Sequence, residues 1–480
     1  MKPTLLFILL FAGCISTAQQ PLSIPVENML SDFDLLRKSM EEAHGGLYRF
    51  ASKEATDARF DSYRKKIPVI KNNREFLIML MQVLADTRDG HMRIALDENT
   101  LAAFAKAKAF PFSILIEGNR TMVLYNETTT DTTIKPGAEI LTINGKKTVD
   151  LLQLIYPKLP ADGYIETGKQ KRLEQAFGAF YWLFIDSTDQ FAISARDLNG
   201  KNINVTLPGI LNSDREKNRN DNKVNARVIA NLAKLEGPRE NISLQFLRGN
   251  DIAYLRIRGF QGNDFYQQID SIFKAVHDKK AKAFILDLRG NGGGTDQYGA
   301  WLVSKFVTKP FHYFDRIHLT TLNPSFTSFT ENSLQDLRNG TVADPKGGYL
   351  VTPKLHPGVG EQQPGEFPFT GKGFVLMDGN TFSTAADATA LLRHLTKAIF
   401  IGEESGGGFE GNTSGLNAQL TLPHSKLRLR IQMYEYFNAV TVTEKGRGTK
   451  PDHFIPKRVN DLLRGVDAPL EQAITLASKK

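Results

Sequence analysis

The feature that most constrains this 480-residue chain is the apolar run Ala283-Phe284-Ile285-Leu286-Asp287-Leu288, which stops abruptly in Arg289-Gly290-Asn291-Gly292-Gly293-Gly294. A strand with no alternating polar face must be covered on both sides, the condition met in a sheet flanked by helices. Its neighbours fit that condition. ISLQFL and IAYLRI, from Ile242 onward, read as strands and Asp264 to Val276 as an amphipathic helix, so strand, helix and buried strand follow in βαβ order. GFVLMD at 373–378 repeats the pattern, leading through a Gly-Asn turn into the helical AADATALLRHL. Residues 237–480 are therefore expected to form an α/β domain, with loops or a lid at 320–370, where Ser, Thr, Asn, Gly and Pro accumulate.

Upstream the texture differs. Asp32 to Gly45 carries a helical apolar stripe at Phe33, Leu36, Met40 and Ala43, and Arg74 to Ala85 is apolar over most of its surface, so residues 19–105 are expected to be a small helical domain. Residues 106–208 hold short β runs (FSILI, TMVLYN, EILTING, FAISA), with turns at Pro136-Gly137 and Asn144-Gly145, and read as a mainly β module. The polar segment Ser213 to Lys223, followed by a helical run to Leu235, marks 209–236 as the linker.

Composition narrows the classes further. With 41% hydrophobic and 23% charged residues the chain is neither disordered, collagen-like nor a polytopic membrane protein. Its +8 charge comes from 60 basic against 52 acidic residues that interleave, as in Asp214 to Lys223, so no nucleic-acid partner is expected. The single cysteine, Cys14, lies in MKPTLLFILLFAGCISTAQQ, where Lys2, an apolar run from Leu5 to Ala12 and then small residues follow the order of a secretory signal. That run is about half the ~20 residues of a bilayer span, so no transmembrane anchor is expected in the mature chain. Cleavage after residue 18 would release Gln19, whereas Phe11-Ala12-Gly13-Cys14 resembles a lipoprotein box that would place a lipid anchor on Cys14. Either route implies export, to the periplasm or the exterior. The first leaves no cysteine for a disulfide, a zinc site or a nucleophile.

Chemistry could gather where the two buried strands end. Consecutive glycines let backbone N–H groups converge on a negative centre, although a plain tight turn explains them equally, and neither a dinucleotide loop nor a phosphate loop matches. Ser383, in GNTFSTAAD at 379–387, stands between strand and helix, the placement of a helix N-cap and also of a nucleophile. Both lie at strand ends of one α/β segment, where open sheets bind ligands. Among nine histidines, His91 sits in a short polar loop, Asp86-Thr87-Arg88-Asp89-Gly90-His91; His394 is about three helical turns from Ser383, and His424 and His453 are alternatives in turn-like surroundings.

DLRGNGGG at 287–294, VLMDGNTFSTAAD at 375–387, IGEESGGG at 401–408 and EKGRGTKPD at 444–452 resemble the successive motifs of the C-terminal processing (tail-specific) protease family, serine peptidases of the ClpP/crotonase fold. DFDLLRKSMEEAHGGLYRF and LADTRDGHMRI resemble the helical region of its secreted bacterial members, and IKPGAEILTINGKKTVDLLQLI is similar to part of a PDZ domain. The resemblance implies a multidomain α/β protein: signal peptide 1–18, helical domain 19–105, PDZ-like β module 106–208, linker 209–236, and a ClpP/crotonase-like peptidase domain 237–480.

The Ser/Lys type of this family carries its base in a Gly-Lys-Gly run, which here reads Gly406-Gly407-Gly408. The tricorn-like branch instead uses a histidine and a carboxylate, whose positions match His91 and Glu444. The resemblance thus implies an exported serine endopeptidase with nucleophile Ser383, base His91, supporting carboxylate Glu444, and an oxyanion hole from Thr384 with Gly292 or Gly293. It implies no metal or organic cofactor, and a peptide or protein substrate whose C-terminus the PDZ-like module could capture. The alternative is a non-catalytic or weakly catalytic protein binding peptides or an apolar ligand on the same fold.

Overall fold

In the computed structural model, which describes residues 24–479, the run from Ala283 to Asp287 is fully buried at the centre of a six-stranded sheet. The leader and Cys14 lie outside the described residues. The sheet order is Ile242–Leu247, Ile252–Ile257, Ala283–Asp287, Lys372–Met377, Ile399–Gly402 and His453–Phe454; the first pair is antiparallel and the rest are parallel. Between the second and third strands runs the helix Phe265–Asp278, which buries Phe265, Ile269, Phe273 and Val276 on one face. The opposite face is covered by the terminal helix Ala468–Ala477, through Leu470 and Ile474. Burial on both faces is what the unalternating strands require. The chain is a mixed α/β protein of several sheets, as expected.

A second sheet joins the two ends of the sequence. Arg93–Ala95 pairs with Arg428–Asn438, which also carries Thr413–Thr421 and Phe314–Leu319. The expected N-terminal helices are present as Val26–Ala43, Lys53–Lys66 and Asn73–Asp86, but they have no core of their own. Phe33, Leu36, Met40, Phe76 and Leu80 pack with Ala418, Leu420, Leu429, Ile431 and Met433. Residues 320–370 are likewise more than loops: the helix Glu331–Gly340 and the strands Thr341–Ala343 and Tyr349–Val351 extend this sheet. Their polar composition belongs to an exposed helix, not to an unstructured lid.

The third sheet is an antiparallel set, Phe112–Glu117, Arg120–Asn126, Glu139–Ile143, Gln190–Arg196 and Asn202–Pro208. The Asn-Gly turn falls where expected, with Asn144 at φ 48° and Gly145 at φ 76°. This segment contains two helices that the β reading did not anticipate, Thr148–Ile155 and Thr167–Phe184, which cover one face through Leu151, Phe177 and Tyr181.

Nor is the stretch from 209 to 236 a solvated tether. It forms the helices Arg215–Asp221 and Ala226–Glu236, and Arg215 and Arg219 both pair with the buried Glu127. Its charges are spent on docking. Among the described residues no helix is long and apolar enough to cross a membrane.

Candidate active site

Asp378, just past the strand Lys372–Met377, accepts the N–H groups of Gly290 and Asn380 at 3.0 Å each, tying the glycine run to the turn that follows. Phe382 donates its N–H to the carbonyl of Asn291 at 3.0 Å. Ser383 then enters the helix Thr384–Leu395 at φ 54°, ψ −133°, and its side chain makes no capping hydrogen bond. Such a backbone costs of order 1–3 kcal/mol for a non-glycine residue and persists where the surroundings enforce it. The N-cap role that serine could have filled is therefore unused.

The glycines explain themselves by contact. A Cβ on Gly293, at φ 100°, would lie 2.6 Å from the Ser383 Cβ and 3.0 Å from the Thr384 nitrogen. The N–H of Gly293, however, donates to Asn291 Oδ1 at 2.9 Å, so it is engaged within its own loop. Gly292 faces open space in the cleft, where a Cβ would meet nothing within 4 Å. Thr384 contributes one of the N–H groups that the first turn of a helix leaves without a carbonyl. The second glycine run passes beneath: a Cβ on Gly407 would lie 2.6 Å from Ala386 Cβ and 3.1 Å from the Ser383 nitrogen, so a side chain has no room there.

His91 reaches this point from the N-terminal helices. Its ring stacks on Phe382, with centroids 4.4 Å apart and planes at 29°. Both ring nitrogens are buried without a hydrogen-bond partner among the described residues. Burial pushes its pKa down to about 4, against the opposing charge of Asp89, so the imidazole is neutral. The loop is clamped around it: Gly90 carbonyl accepts from Arg93 at 2.6 Å and Arg172 at 3.3 Å, and Gln432 donates to the His91 carbonyl at 3.1 Å.

Two carboxylates flank the imidazole, and neither is Glu444. Asp89 is buried, with Oδ1 3.9 Å from His91 Nδ1 and 2.6 Å from the His91 N–H, while Oδ2 lies 3.0 Å from His44 Nε2. Burial alone would raise its pKa, but the His44 hydrogen bond and the nearby histidine charges outweigh that and hold it below the usual range. Asp162 accepts the N–H groups of Gly90 at 2.7 Å and Gly408 at 3.2 Å; burial, then the charge of Asp89, push it up to about 7. Donor atoms of Asp89, His91 and Asp162 lie within 4.8 Å of one another, close enough to share a proton network or to meet one cation.

Glu444 is instead at the surface, paired with Lys450 at 2.5 Å. The expected Glu444 contact with His91 is replaced by Asp89, two residues before the histidine. A Cβ on Gly90 would lie 2.8 Å from Asp162 Oδ1 and 2.9 Å from the Phe382 ring, so no side chain has room immediately before His91. Asp89 was legible as a neighbour of His91 in Asp-Gly-His. His44, Asp162 and Phe382 carry no such signal, because only folding brings them together.

A cleft of about 570 Å³ opens beside Gly292 and Phe382, walled by apolar Met81, Ile94 and Phe180 and by the polar Arg93, Lys158, Arg172 and Gln175. Strained serine, neutral imidazole and backbone donors beside a cleft of mixed polarity are the parts of an acyl-transfer site.

Residues 251–455 match the sequence model of peptidase family S41. No curated protein matches the chain. Among solved structures, mature CPAF superposes with TM-score 0.63 at 13% identity over 94% of this chain and 96% of that one. Mature CPAF complexed with lactacystin gives 0.65 at 13%, over 94% and 98%. The photosystem II D1 C-terminal processing protease aligns with TM-score 0.40 at 13%, over 92% and 98%. The CPAF likeness extends the shared fold well beyond the matched domain, to nearly the whole of both chains.

Proposed function

We propose that the chain, whose residues 251–455 match peptidase family S41, is an exported serine endopeptidase in which Ser383 attacks the peptide carbonyl and His91 takes the hydroxyl proton. The observation that carries this reading is the neutral His91 imidazole, both nitrogens unpaired, stacked on the residue that precedes a strained Ser383. An unpaired, deprotonated imidazole is ready to accept a proton, and a later transfer from it to the amine nitrogen completes the first half-reaction. Water then repeats the sequence on the acyl-enzyme. Asp89 supports the imidazolium that forms in each step, the part first assigned to Glu444. N–H groups of Thr384 and Gly292 receive the oxyanion, at ~3–4 kcal/mol per donor where such groups have been removed.

Export rests on the leader-like residues 1–18, and the antiparallel sheet of residues 112–208 is the element that would act as the PDZ-like module, offering strand pairing to a substrate's C-terminus. The test is covalent labelling with a fluorophosphonate probe. Wild type should label and Ser383→Ala should not, with peptide turnover falling by roughly 10³-fold or more; equal labelling of the two proteins would overturn the assignment.

A further inference from the structure

A second cleft, of about 290 Å³, shares Gly290 and Asn380 with the catalytic one. It lies at the ends of the parallel strands, by Met377, Gly402 and Ile455, where open α/β sheets bind ligands. Its charges are unevenly satisfied. Asp378 already accepts two N–H groups, Glu403 pairs with Lys171 at 3.0 Å, Asp461 with Arg464 at 2.5 Å, and Asp467 with Arg289 at 2.7 Å. Glu236 is the remaining acid, and its backbone carbonyl accepts from Arg256 and Arg258.

The basic groups are not used up in the same way. Lys457 and Arg458 line the cleft, and neither side chain makes a hydrogen bond or ion pair among the described residues. The Nε atoms of Arg256 and Arg258 are buried without a partner. Burial in the cleft, and then the Lys171 ammonium, hold the pKa of Lys457 below the ordinary lysine value, against the pull of Asp378, Glu174 and Glu236. Arg289 by contrast is saturated by Asp287 and Asp467.

Resting on the peptidase reading above, we infer that this cleft receives a carboxylate of the polypeptide whose scissile bond lies at Ser383. Gly290 borders the cleft and Gly292 the oxyanion site, so a chain rising by about 3.3 Å per residue needs only a few residues to reach from one to the other. The carboxylate is either the substrate's C-terminal group or an Asp or Glu side chain. Lys457 and Arg458 bind it, and they make the enzyme selective for acidic segments beside the cleaved bond.

The test is binding to the full-length Ser383→Ala protein, read by fluorescence anisotropy, so that it does not depend on turnover. The probes are a dye-labelled peptide with internal Glu residues and a free C-terminus, its Gln-for-Glu analogue, its C-terminal amide, and the peptide carrying both changes. The acidic free acid should bind about tenfold more tightly than the doubly changed peptide. Whichever single change loses the advantage identifies the source of the carboxylate. Lys457→Gln with Arg458→Gln should abolish the preference, and Lys457→Glu should reverse it in favour of a Lys-bearing peptide. Equal binding of all four probes, or an unaltered preference in both variants, overturns the inference. Failure of fluorophosphonate labelling would count against the catalytic reading alone, since this binding experiment stands without it.

Discussion

The ring of His91 is stacked on that of Phe382, 4.4 Å between centroids, although the two residues lie 291 positions apart in sequence (382 − 91). The contact joins the loop that carries the proposed base to the turn that carries the proposed nucleophile. With neither ring nitrogen held by a hydrogen bond, stacking and the clamped backbone are what orient the imidazole.

Removing that surface should therefore disturb chemistry more than binding. Phe382→Ala is expected to lower kcat by about ten- to a hundredfold, the scale of a small misplacement of catalytic groups, with a lesser change in KM. Steady-state kinetics on a fluorogenic peptide would check it; an unchanged kcat would mean that Phe382 does not position His91.

The burial of His91 sets the acid limb of activity. A base with pKa about 4 stays deprotonated well below the ordinary histidine range, so kcat/KM should hold down to about pH 5 and fall near 4. A limb at 6.5 would contradict this. Stability follows the same titration. Between about 4 and 6.5 the unfolded chain binds a proton that folded His91 does not, so this group makes stability rise with pH across that window. Asp162 opposes it: the folded chain keeps a proton between 3.8 and about 7 that the unfolded chain has lost, so its contribution fades as pH rises towards 7. Thermal unfolding of His91→Gln, compared with wild type from pH 4 to 7, should lack the rising component.

The choice between carboxylates is equally direct. Glu444→Gln should leave kcat/KM within about twofold, since an exposed pair with Lys450 has little to contribute. Asp89→Asn should reduce it by roughly 10²-fold or more, through a misoriented and unsupported imidazole. The opposite ranking in a peptide assay would restore Glu444.

Gly293→Ala places a methyl 2.6 Å from Ser383 Cβ at a φ of 100°. Loss of both turnover and fluorophosphonate labelling is expected, with circular dichroism close to wild type. A labelled, active variant would show that the serine turn can yield.

Much of this was legible in the residues themselves. Ala283–Asp287 and Lys372–Met377 announced their sheet because strands buried on both faces cannot alternate, and Ser383 stood out because it follows one of them. The helices from Thr148 to Phe184 were missed since their apolar positions sit among β-rich neighbours and turn signals. The helical run to Leu235 was legible, whereas the helix Arg215–Asp221 was missed for another reason: Arg215 and Arg219 look solvated until Glu127, distant in sequence, buries their charge. Asp89 could be read locally, whereas Asp162 and Phe382 gain meaning only when three loops converge.

The strand Arg428–Asn438 has a temporal consequence. At one end it packs on the helices that carry His91, and at the other Asn438 donates to Asp387, one turn along the helix headed by Ser383. Because this strand follows both residues in sequence, His91 and Ser383 are tied to one framework only after everything between them, and some fifty residues beyond Ser383, has been made.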